Sequence, residues 1–393
     1  MLRKGLVFRK GCFRLLVALL FLLLAGGVLL YRFLGSQVNL AGIVATGGEA
    51  AVAVPDGFSA AVYAEGLQGP RFMALGPDGM IYVAERGAGN IVRLVDADGD
   101  GRAEGTEVFA AELDNPHSLV YHEGAWYVGV PTGVVRLQDA DGDGVAELRE
   151  AVVDDIPGDG NHRTRTVLFL PDGRMVLSVG STCNVCVEED PRRAAVLVYD
   201  GPDGANGRIL ASGLRNAVGL ALRPETGELW ATNNGRDFMG DDLPPENVYV
   251  VRDGADYGWP ACHSGDIVDP EFGEPGACED VEQPVVAMQA HSAPLGLTFY
   301  DGEMFPPEYR GDLFIAFHGS WNRSVPTGYK VVRLPFEDGE PADEVVDFAT
   351  GWLDVERNAV DGRPVDVLVG ADGALYVSDD KGGFIYRISY EEG

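Results

Sequence analysis

The chain has 393 residues, of which 46% are hydrophobic, 53 are glycine and 23 are proline. Its formal net charge of −31 argues against binding to nucleic acid, because a phosphate backbone needs a basic surface. Such a length allows two ordinary domains or one large repeat structure, and the many glycines and prolines favour short strands joined by tight turns.

The N-terminus has the pattern of a signal peptide or signal anchor. Residues 1–14 contain five basic side chains and no acidic one, and residues 15–30 are unbroken apolar sequence. Tyr31-Arg32-Phe33 follows instead of a small-residue cleavage site. We therefore expect residues 1–34 to be a signal peptide or a membrane anchor. The body would be exported to the periplasmic or extracellular face, with residues 35–55 as a tether.

A turn followed by a short alternating strand recurs six times. The turns are Pro77-Asp78-Gly79, Glu123-Gly124, Pro171-Asp172-Gly173, Thr226-Gly227, Gly311-Asp312 and Asp372-Gly373. Repeats at such spacing indicate one supersecondary unit stacked many times. The repeat predicts an all-β fold, a six-bladed β-propeller with four-stranded blades over residues 56–393. The sixth unit has only three local strands, and Phe58–Tyr63 is expected to supply the fourth and close the ring.

Two acidic loops are near copies of each other. Their acidic residues are Asp96, Asp98, Asp100 and Glu104 in the first loop, and Asp139, Asp141, Asp143 and Glu147 in the second. Oxygen ligands at alternating positions, a glycine and a later glutamate resemble a short calcium loop, although the helix-flanked form is absent. Structural calcium (Ca2+) sites and solvated Asp/Gly hairpins both fit this pattern.

The cysteines fall into two close pairs. Cys183 and Cys186 form a C-x-x-C, whereas Cys262 and Cys278 lie in a loop rich in glycine, proline and aspartate. In an oxidising compartment the pairs predict two local disulfides. A zinc site and a redox-active pair are the alternatives. The spacing matches no two-knuckle zinc pattern, and no strand–helix context supports a thioredoxin-like motif.

A polar or charged residue precedes each repeated turn, and in a propeller the inner-strand starts converge at one mouth. Those side chains are Arg71, His117, His162, Arg163, Arg215, Asn216, His291 and Arg363. Arginines in such a pocket suit an anionic, planar, oxygen-rich ligand. Histidines are the usual general bases. The common register of these residues in six units therefore predicts a functional pocket.

Several segments together resemble a known family. They are Gly160-Asn161-His162-Arg163, Gly213-Leu214-Arg215-Asn216, Asn233-Asn234-Gly235-Arg236-Asp237, Tyr257-Gly258-Trp259-Pro260, His318-Gly319-Ser320-Trp321-Asn322-Arg323 and Gly362-Arg363-Pro364-Val365-Asp366. Over roughly residues 57–390 the chain resembles the soluble quinoprotein sugar dehydrogenases, the glucose/sorbosone dehydrogenase group. The Cys183/Cys186 loop resembles the sorbosone-type branch. The resemblance implies a propeller that holds pyrroloquinoline quinone (PQQ) with calcium.

The resemblance also implies roles for individual residues. His162 would remove the proton from the sugar C1 hydroxyl while hydride passes from C1 to the quinone. Arg215 would stabilise the charge that develops on the quinone oxygens. The expected cofactor contacts are His117, Arg215, Asn216, Trp321, Lys330 and Arg363. Backbone carbonyls of Gly235 and Arg236 would coordinate calcium, a cation that prefers oxygen.

Two departures from the glucose-type members concern the pocket. Those members carry a second arginine where this chain has Val365, and glycines where it has Arg163-Thr164-Arg165. The second departure changes the pocket wall and argues against assuming that the sugar is glucose. No haem-attachment C-x-x-C-H exists, so electrons would leave to a separate acceptor, a quinone or a cytochrome. A calcium-dependent propeller lactonase or hydrolase and a non-catalytic cell-surface binding propeller are the alternatives.

Overall fold

The protein folds as a closed ring of β-sheets. The computed structural model describes residues 19–20, 23–27 and 47–391, of which 19–20 and 23–27 are helical. Most of the expected signal or anchor segment and the first part of the expected tether lie outside these residues. Among the described residues, no helix is both long and apolar enough to cross a membrane.

The first three blades are four-stranded antiparallel sheets whose strands run in chain order from the ring axis outwards. Blade 1 consists of Pro70–Leu75, Ile81–Glu85, Asn90–Val95 and Gly105–Ala110. Blade 2 consists of Ser118–His122, Ala125–Val130, Gly133–Gln138 and Leu148–Val153. Blade 3 consists of Val167–Phe169, Met175–Val179, Ala195–Tyr199 and Arg208–Ser212.

The remaining blades complete the ring. Blade 4 consists of Leu220–Leu222, Leu229–Asn233, Glu246–Val250 and Val286–Met288. Blade 5 consists of Pro294–Phe299, Leu313–Phe317, Lys330–Leu334 and Val346–Ala349. Blade 6 consists of Pro364–Val369, Leu375–Asp379, Phe384–Tyr390 and, as its outermost strand, Phe58–Ala64. The predictions of a six-bladed propeller and of its closure by the N-terminal strand are confirmed, since Phe58 pairs with Tyr390 and Ala64 with Ile385.

Short elements decorate the blades. A 3-10 turn spans Pro307–Tyr309, and three two-residue hairpins pair Cys262–His263 with Ile267–Val268, Phe336–Glu337 with Glu340–Pro341, and Leu353–Asp354 with Ala359–Val360. Disulfides join Cys183 to Cys186 and Cys262 to Cys278, which confirms that prediction. Residues 47–55 lie against the ring, where Ala53 forms a bridge with Thr350 and the Ala50 amide donates to the Tyr386 hydroxyl at 2.8 Å.

The apolar core lies between neighbouring blades because each second strand is buried on both faces, as in Leu313–Phe317. Between blades 1 and 2, the rings of Tyr82 and Trp126 lie 4.4 Å apart. The repeated turn has a local cause: Asp78 Oδ1 accepts the Met80 amide, and Gly79 adopts a φ of 78°. The inner strands of all six blades line an axial channel.

Candidate active site

One mouth of the channel gathers two kinds of chain segment. Each inner strand begins there, and because the second strand is antiparallel to it, each second strand ends there too. Arg71, at the start of the inner strand of blade 1, accordingly meets Asp380, which directly follows the second strand of blade 6. The mouth is therefore built from both sets of strand ends.

The first side-chain group at this mouth is the arginine–histidine cluster, made of Arg71, His117, His318, Arg363 and Asp380. The Asp380 carboxylate accepts hydrogen bonds from Arg71 Nη1 at 2.6 Å and from His318 Nε2 at 3.0 Å. Arg71 Nε donates to His117 Nδ1 at 3.2 Å. Arg363 donates to the backbone carbonyl of His318 at 2.9 Å and to that of the next residue at 2.8 Å. Four blades thus contribute to one network.

Burial and neighbouring charges determine the charge state of this cluster. Burial alone would raise the pKa of Asp380, but His318, Arg71 and Arg363 hold that pKa well below its usual range. Burial, and then the charge of Arg363, lowers the pKa of His318 to about 4. Burial, then Arg71, lowers the pKa of His117 far below its ordinary value, so both imidazoles are neutral at pH 7.

His117 has one ring N–H that finds no acceptor among the described residues. Its Nδ1 accepts from Arg71, so in the neutral ring the proton resides on Nε2. Nε2 is buried and has no hydrogen-bond partner among the described residues. Because a buried polar group without a partner is costly, this N–H points to a missing acceptor.

The second group is the base cluster, made of His162, Ser181, Asn184, Arg215 and Asn216. His162 Nδ1 lies 3.0 Å from the Ser181 carbonyl oxygen and 2.8 Å from Ser181 Oγ. Ser181 Oγ donates its own proton to the backbone carbonyl of Cys183 at 2.7 Å, so towards His162 it can only accept. The proton of the neutral imidazole is therefore on Nδ1, and Nε2 presents a lone pair.

The His162 imidazole is neutral for physical reasons. Burial, followed by the charge of Arg215, lowers its pKa to about 3, and the charges of Arg165 and Arg193 act in the same direction. Nε2 of His162 has no hydrogen bond to any described residue. A free lone pair on a neutral imidazole is the state that a general base requires.

Arg215 is buried and firmly held. Nε donates to the Asn184 carbonyl at 2.8 Å, and Nη2 donates to Asn184 Oδ1 at 2.9 Å and to Asp237 Oδ2 at 3.2 Å. Nη1 donates to the Asn234 carbonyl at 3.2 Å. A guanidinium has five N–H groups, and these contacts leave one of them, on Nη1, for a ligand.

Gly180 brings His162 and Asn216 together. A Cβ at position 180 would lie 2.5 Å from His162 Cβ and 2.6 Å from Asn216 Oδ1. Real Cβ atoms do not approach other atoms so closely, so only glycine allows this spacing. The backbone amide of Asn216 donates a hydrogen bond to Asn233 Oδ1 at 3.0 Å, which holds Asn216 in place.

Three other predicted residues contact residues outside the two clusters. Lys330 forms an ion pair with Asp347 of the outer strand of blade 5. Trp321 is 40% exposed, and its ring lies 5.6 Å from that of Phe238. His291 Nε2 lies 2.8 Å from the Gly240 carbonyl. Their roles as ligand contacts stay predictions.

The expected calcium ligands occupy three places. The Gly235 amide donates to Glu246 at 2.7 Å, and the Arg236 side chain pairs with Asp269 and Glu271. In each of the two acidic loops, four ligand oxygens lie within 4.8 Å of one another. Both loops also tie blades together, since the Ala103 amide donates to Tyr63 O and the Ala146 amide to Phe109 O, each at 2.8 Å. Calcium binding at these places stays a prediction.

Sequence reasoning missed several residues of the mouth as site residues. Asp380, His318, Ser181 and Asn184 all follow the ends of second strands, whereas the starts of inner strands guided the expectation. Arg86, which directly follows the second strand of blade 1, belongs to the same class. Its guanidinium has no hydrogen bond or ion pair within the described part of the chain. The antiparallel pairing rule applied to both strand ends would have identified them.

Comparison with known proteins identifies the family of this chain. A family model described as TrAA12-like matches residues 52–265 and 270–391. The chain belongs to the TrAA12-like family. This family match confirms the resemblance to the soluble PQQ-dependent sugar dehydrogenases.

Relatives of the TrAA12-like chain include a pyrroloquinoline quinone-dependent pyranose dehydrogenase of Coprinopsis cinerea. It is 26% identical over 407 residues, which cover 86% of this chain and 55% of that protein. A Borreliella burgdorferi protein is 34% identical over 224 residues, covering 56% of this chain and 58% of that one. The chain thus spans little more than half the length of these relatives.

Solved structures agree on the fold. The holo PQQ domain of the Coprinopsis cinerea pyranose dehydrogenase superposes with a TM-score of 0.75 at 24% identity, covering 87% of this chain and 98% of that one. A calcium structure of a Trichoderma reesei family AA12 enzyme superposes with a TM-score of 0.75 at 21% identity, covering 88% and 98%. These similarities support the propeller architecture of the TrAA12-like chain.

Proposed function

We propose that this protein is a PQQ-dependent dehydrogenase that oxidises the C1 hydroxyl or aldehyde of a sugar of the aldose or sorbosone type. The observation that carries the proposal is the state of His162. Its ring is neutral, its proton is held on Nδ1 by Ser181, and its Nε2 lone pair is free beside a buried arginine. The similarity to the Coprinopsis cinerea pyranose dehydrogenase supports the same reaction class.

The donors at the mouth fit an anionic quinone. PQQ is a planar tricarboxylate, and the mouth offers the buried orphan N–H of His117 together with three arginines, Arg71, Arg215 and Arg363. The predicted holders are His117, Arg215, Asn216, Trp321, Lys330 and Arg363. Of these, Lys330 would have to leave Asp347. PQQ, when bound, supplies a two-electron acceptor for hydride.

The chain's own residues would handle the proton. His162 Nε2 accepts the proton of the C1 hydroxyl, while Nδ1 keeps its proton on the Ser181 acceptors. The resulting imidazolium is disfavoured by Arg215 as long as the arginine's charge is uncompensated. Carboxylates of an anionic ligand would offset that charge and bring the His162 pKa closer to the operating pH. Binding would thereby make the base stronger.

Calcium and location complete the proposal. Backbone carbonyls of Gly235 and Arg236 would serve a hard cation, and the related Trichoderma reesei enzyme has been solved as a calcium structure. We propose that the protein is exported to the periplasmic or extracellular face and held by its N-terminal segment. Both disulfides support an oxidising compartment. A separate quinone or cytochrome would take the electrons.

The hydrolase alternative has less support. A calcium-dependent lactonase needs free carboxylate ligands at the channel mouth. At this mouth Asp380 and Asp237 are each paired with an arginine, Arg71 and Arg215 respectively. These two carboxylates are therefore less available to a metal ion bound by side chains.

Reconstitution tests the proposal. The purified chain, free of cofactor, would be titrated with PQQ and calcium while dye reduction is followed with a panel of aldoses and sorbosone. We expect activity only with both additions, and a kcat reduced roughly 100- to 10,000-fold in His162→Gln. His122→Gln is the matched control, because His122 ends an inner strand at the opposite mouth and stacks on Phe169. Absence of PQQ binding under every condition would reject the proposal.

A further inference from the structure

One loop contacts both of the proposed catalytic side chains. It follows the second strand of blade 3, and within it the disulfide Cys183–Cys186 closes a ring around Asn184 and Val185. Both cysteines are partly exposed, and Val187 beside them is 74% exposed. A partly exposed loop can keep one conformation only if something restrains its backbone.

Asn184 accepts two hydrogen bonds from the Arg215 guanidinium. Its backbone carbonyl accepts from Nε at 2.8 Å, and its side-chain Oδ1 accepts from Nη2 at 2.9 Å. The same side chain forms a reciprocal pair with Asp237, whose amide donates to Oδ1 at 2.7 Å and whose carbonyl accepts from Nδ2 at 3.0 Å. Both contacts to the guanidinium therefore require one orientation of the Asn184 peptide.

The same loop determines the tautomer of His162. The Cys183 carbonyl accepts the Ser181 hydroxyl proton, which leaves Ser181 Oγ as an acceptor for His162 Nδ1. The Ser181 backbone carbonyl, 3.0 Å from Nδ1, can only accept as well, so both Ser181 oxygens hold the proton on Nδ1. If the segment shifted so that this carbonyl left Nδ1 and the Ser181 hydroxyl, freed from the Cys183 carbonyl, donated to Nδ1, that nitrogen would need its lone pair. The imidazole proton would then move to Nε2, and the lone pair needed for catalysis would be lost.

We propose that the disulfide-closed segment 181–186 is the positioning element of this active site, with Ser181 and Asn184 as positioning residues. It keeps the His162 proton on Nδ1 and holds the Arg215 guanidinium in place. The proposal rests on the proposed function where it concerns catalysis, but its structural part concerns the protein without cofactor. In this proposal the Cys183–Cys186 bond restrains the segment that carries the Ser181 acceptors of His162 Nδ1 and the Asn184 acceptors of Arg215.

The chain offers a matched control for the test. Cys183→Ser/Cys186→Ser removes the positioning disulfide, whereas Cys262→Ser/Cys278→Ser removes the other one. Among the described residues, neither Cys262 nor Cys278 has a hydrogen bond to His162, Arg215 or Asn184. Nitrogen-15 spectra of labelled histidine in the cofactor-free full chain report the His162 tautomer, with His162→Gln to assign its signal.

We expect wild type and the control variant to show the Nδ1–H form, and the first variant to show the Nε2–H form or a mixture. In the reconstituted enzyme, kcat of the first variant should fall roughly 100-fold with KM changed much less, because the base is misprotonated. An unchanged tautomer together with a kcat within twofold of wild type would overturn the proposal.

Two single variants test the proposal if the double cysteine variant does not fold. If Cys183→Ser/Cys186→Ser loses its cooperative melting transition, Ser181→Ala and Asn184→Ser address the same contacts singly. Asn184→Ser should lower kcat and leave the tautomer intact. Ser181→Ala removes one of the two acceptors of Nδ1 and keeps the backbone carbonyl, so the Nδ1 resonance should shift while the Nδ1–H form persists. The absence of both effects would refute positioning. If wild type itself shows no dehydrogenase activity, the proposed function fails, and the spectra alone decide the positioning role.

Discussion

Asp366 provides the most quantitative prediction from this fold. This carboxylate of the inner strand of blade 6 is 5% exposed, lines the channel and accepts the Met73 amide at 2.8 Å. Burial raises its pKa from 3.8 to about 7. At a pH between 3.8 and about 7, Asp366 keeps its proton in the native state but has released it in the unfolded state. The free energy of unfolding therefore falls as the pH rises through this range.

The size of the effect follows from linkage. One pKa unit corresponds to about 1.4 kcal/mol, so Asp366 alone should lower the free energy of unfolding by about 3 kcal/mol between pH 5 and pH 8. Asparagine keeps an oxygen for the Met73 amide and cannot ionise. Asp366→Asn should therefore remove about 3 kcal/mol of the pH-dependent loss.

Urea unfolding of the cofactor-free protein at pH 5 and pH 8 measures this difference for wild type and variant. Asp301→Asn is the control, because Asp301 lines the same channel but is exposed. It should leave the pH dependence as in wild type. Parallel pH dependences of wild type and Asp366→Asn, within about 1 kcal/mol, would refute the linkage argument.

Three further predictions concern the mouth. Gly180→Ala places a methyl group 2.5 Å from His162 Cβ, so kcat in dye reduction should fall roughly 100-fold; a rate within twofold of wild type would contradict this. The His162 ring should stay neutral down to pH 4 in nitrogen-15 titrations of the cofactor-free protein, since its pKa is about 3, and a midpoint near 6.5 would be incompatible with that burial. Asp380→Asn leaves Arg71 and His318 without their carboxylate, so urea unfolding should show a loss of roughly 3–5 kcal/mol. A loss below about 1 kcal/mol would mean that solvent already screens the network.

The sequence predicted the architecture well because turn chemistry repeats locally. Asp78 and Gly79 form their turn through contacts with immediate neighbours, and the same Asp-Gly turn recurs at Asp172-Gly173 and Asp372-Gly373. The mouth was predicted only in part. Asp380 meets Arg71 across 309 positions of sequence, and no local pattern encodes such a partner. The tautomer of His162 likewise depends on two Ser181 oxygens that lie beside Nδ1 across 19 positions of sequence, which composition cannot reveal.

The closing strand has a consequence for how the molecule is made. The hydroxyl groups of Ser59 and Ser389 lie 3.0 Å apart across a sequence separation of 330. During synthesis the early strand Phe58–Ala64 must therefore wait for almost the entire chain before its partner exists. Until then the nascent protein presents an unpaired edge that a second copy could occupy. The ring can therefore close only after the last blade has been synthesised.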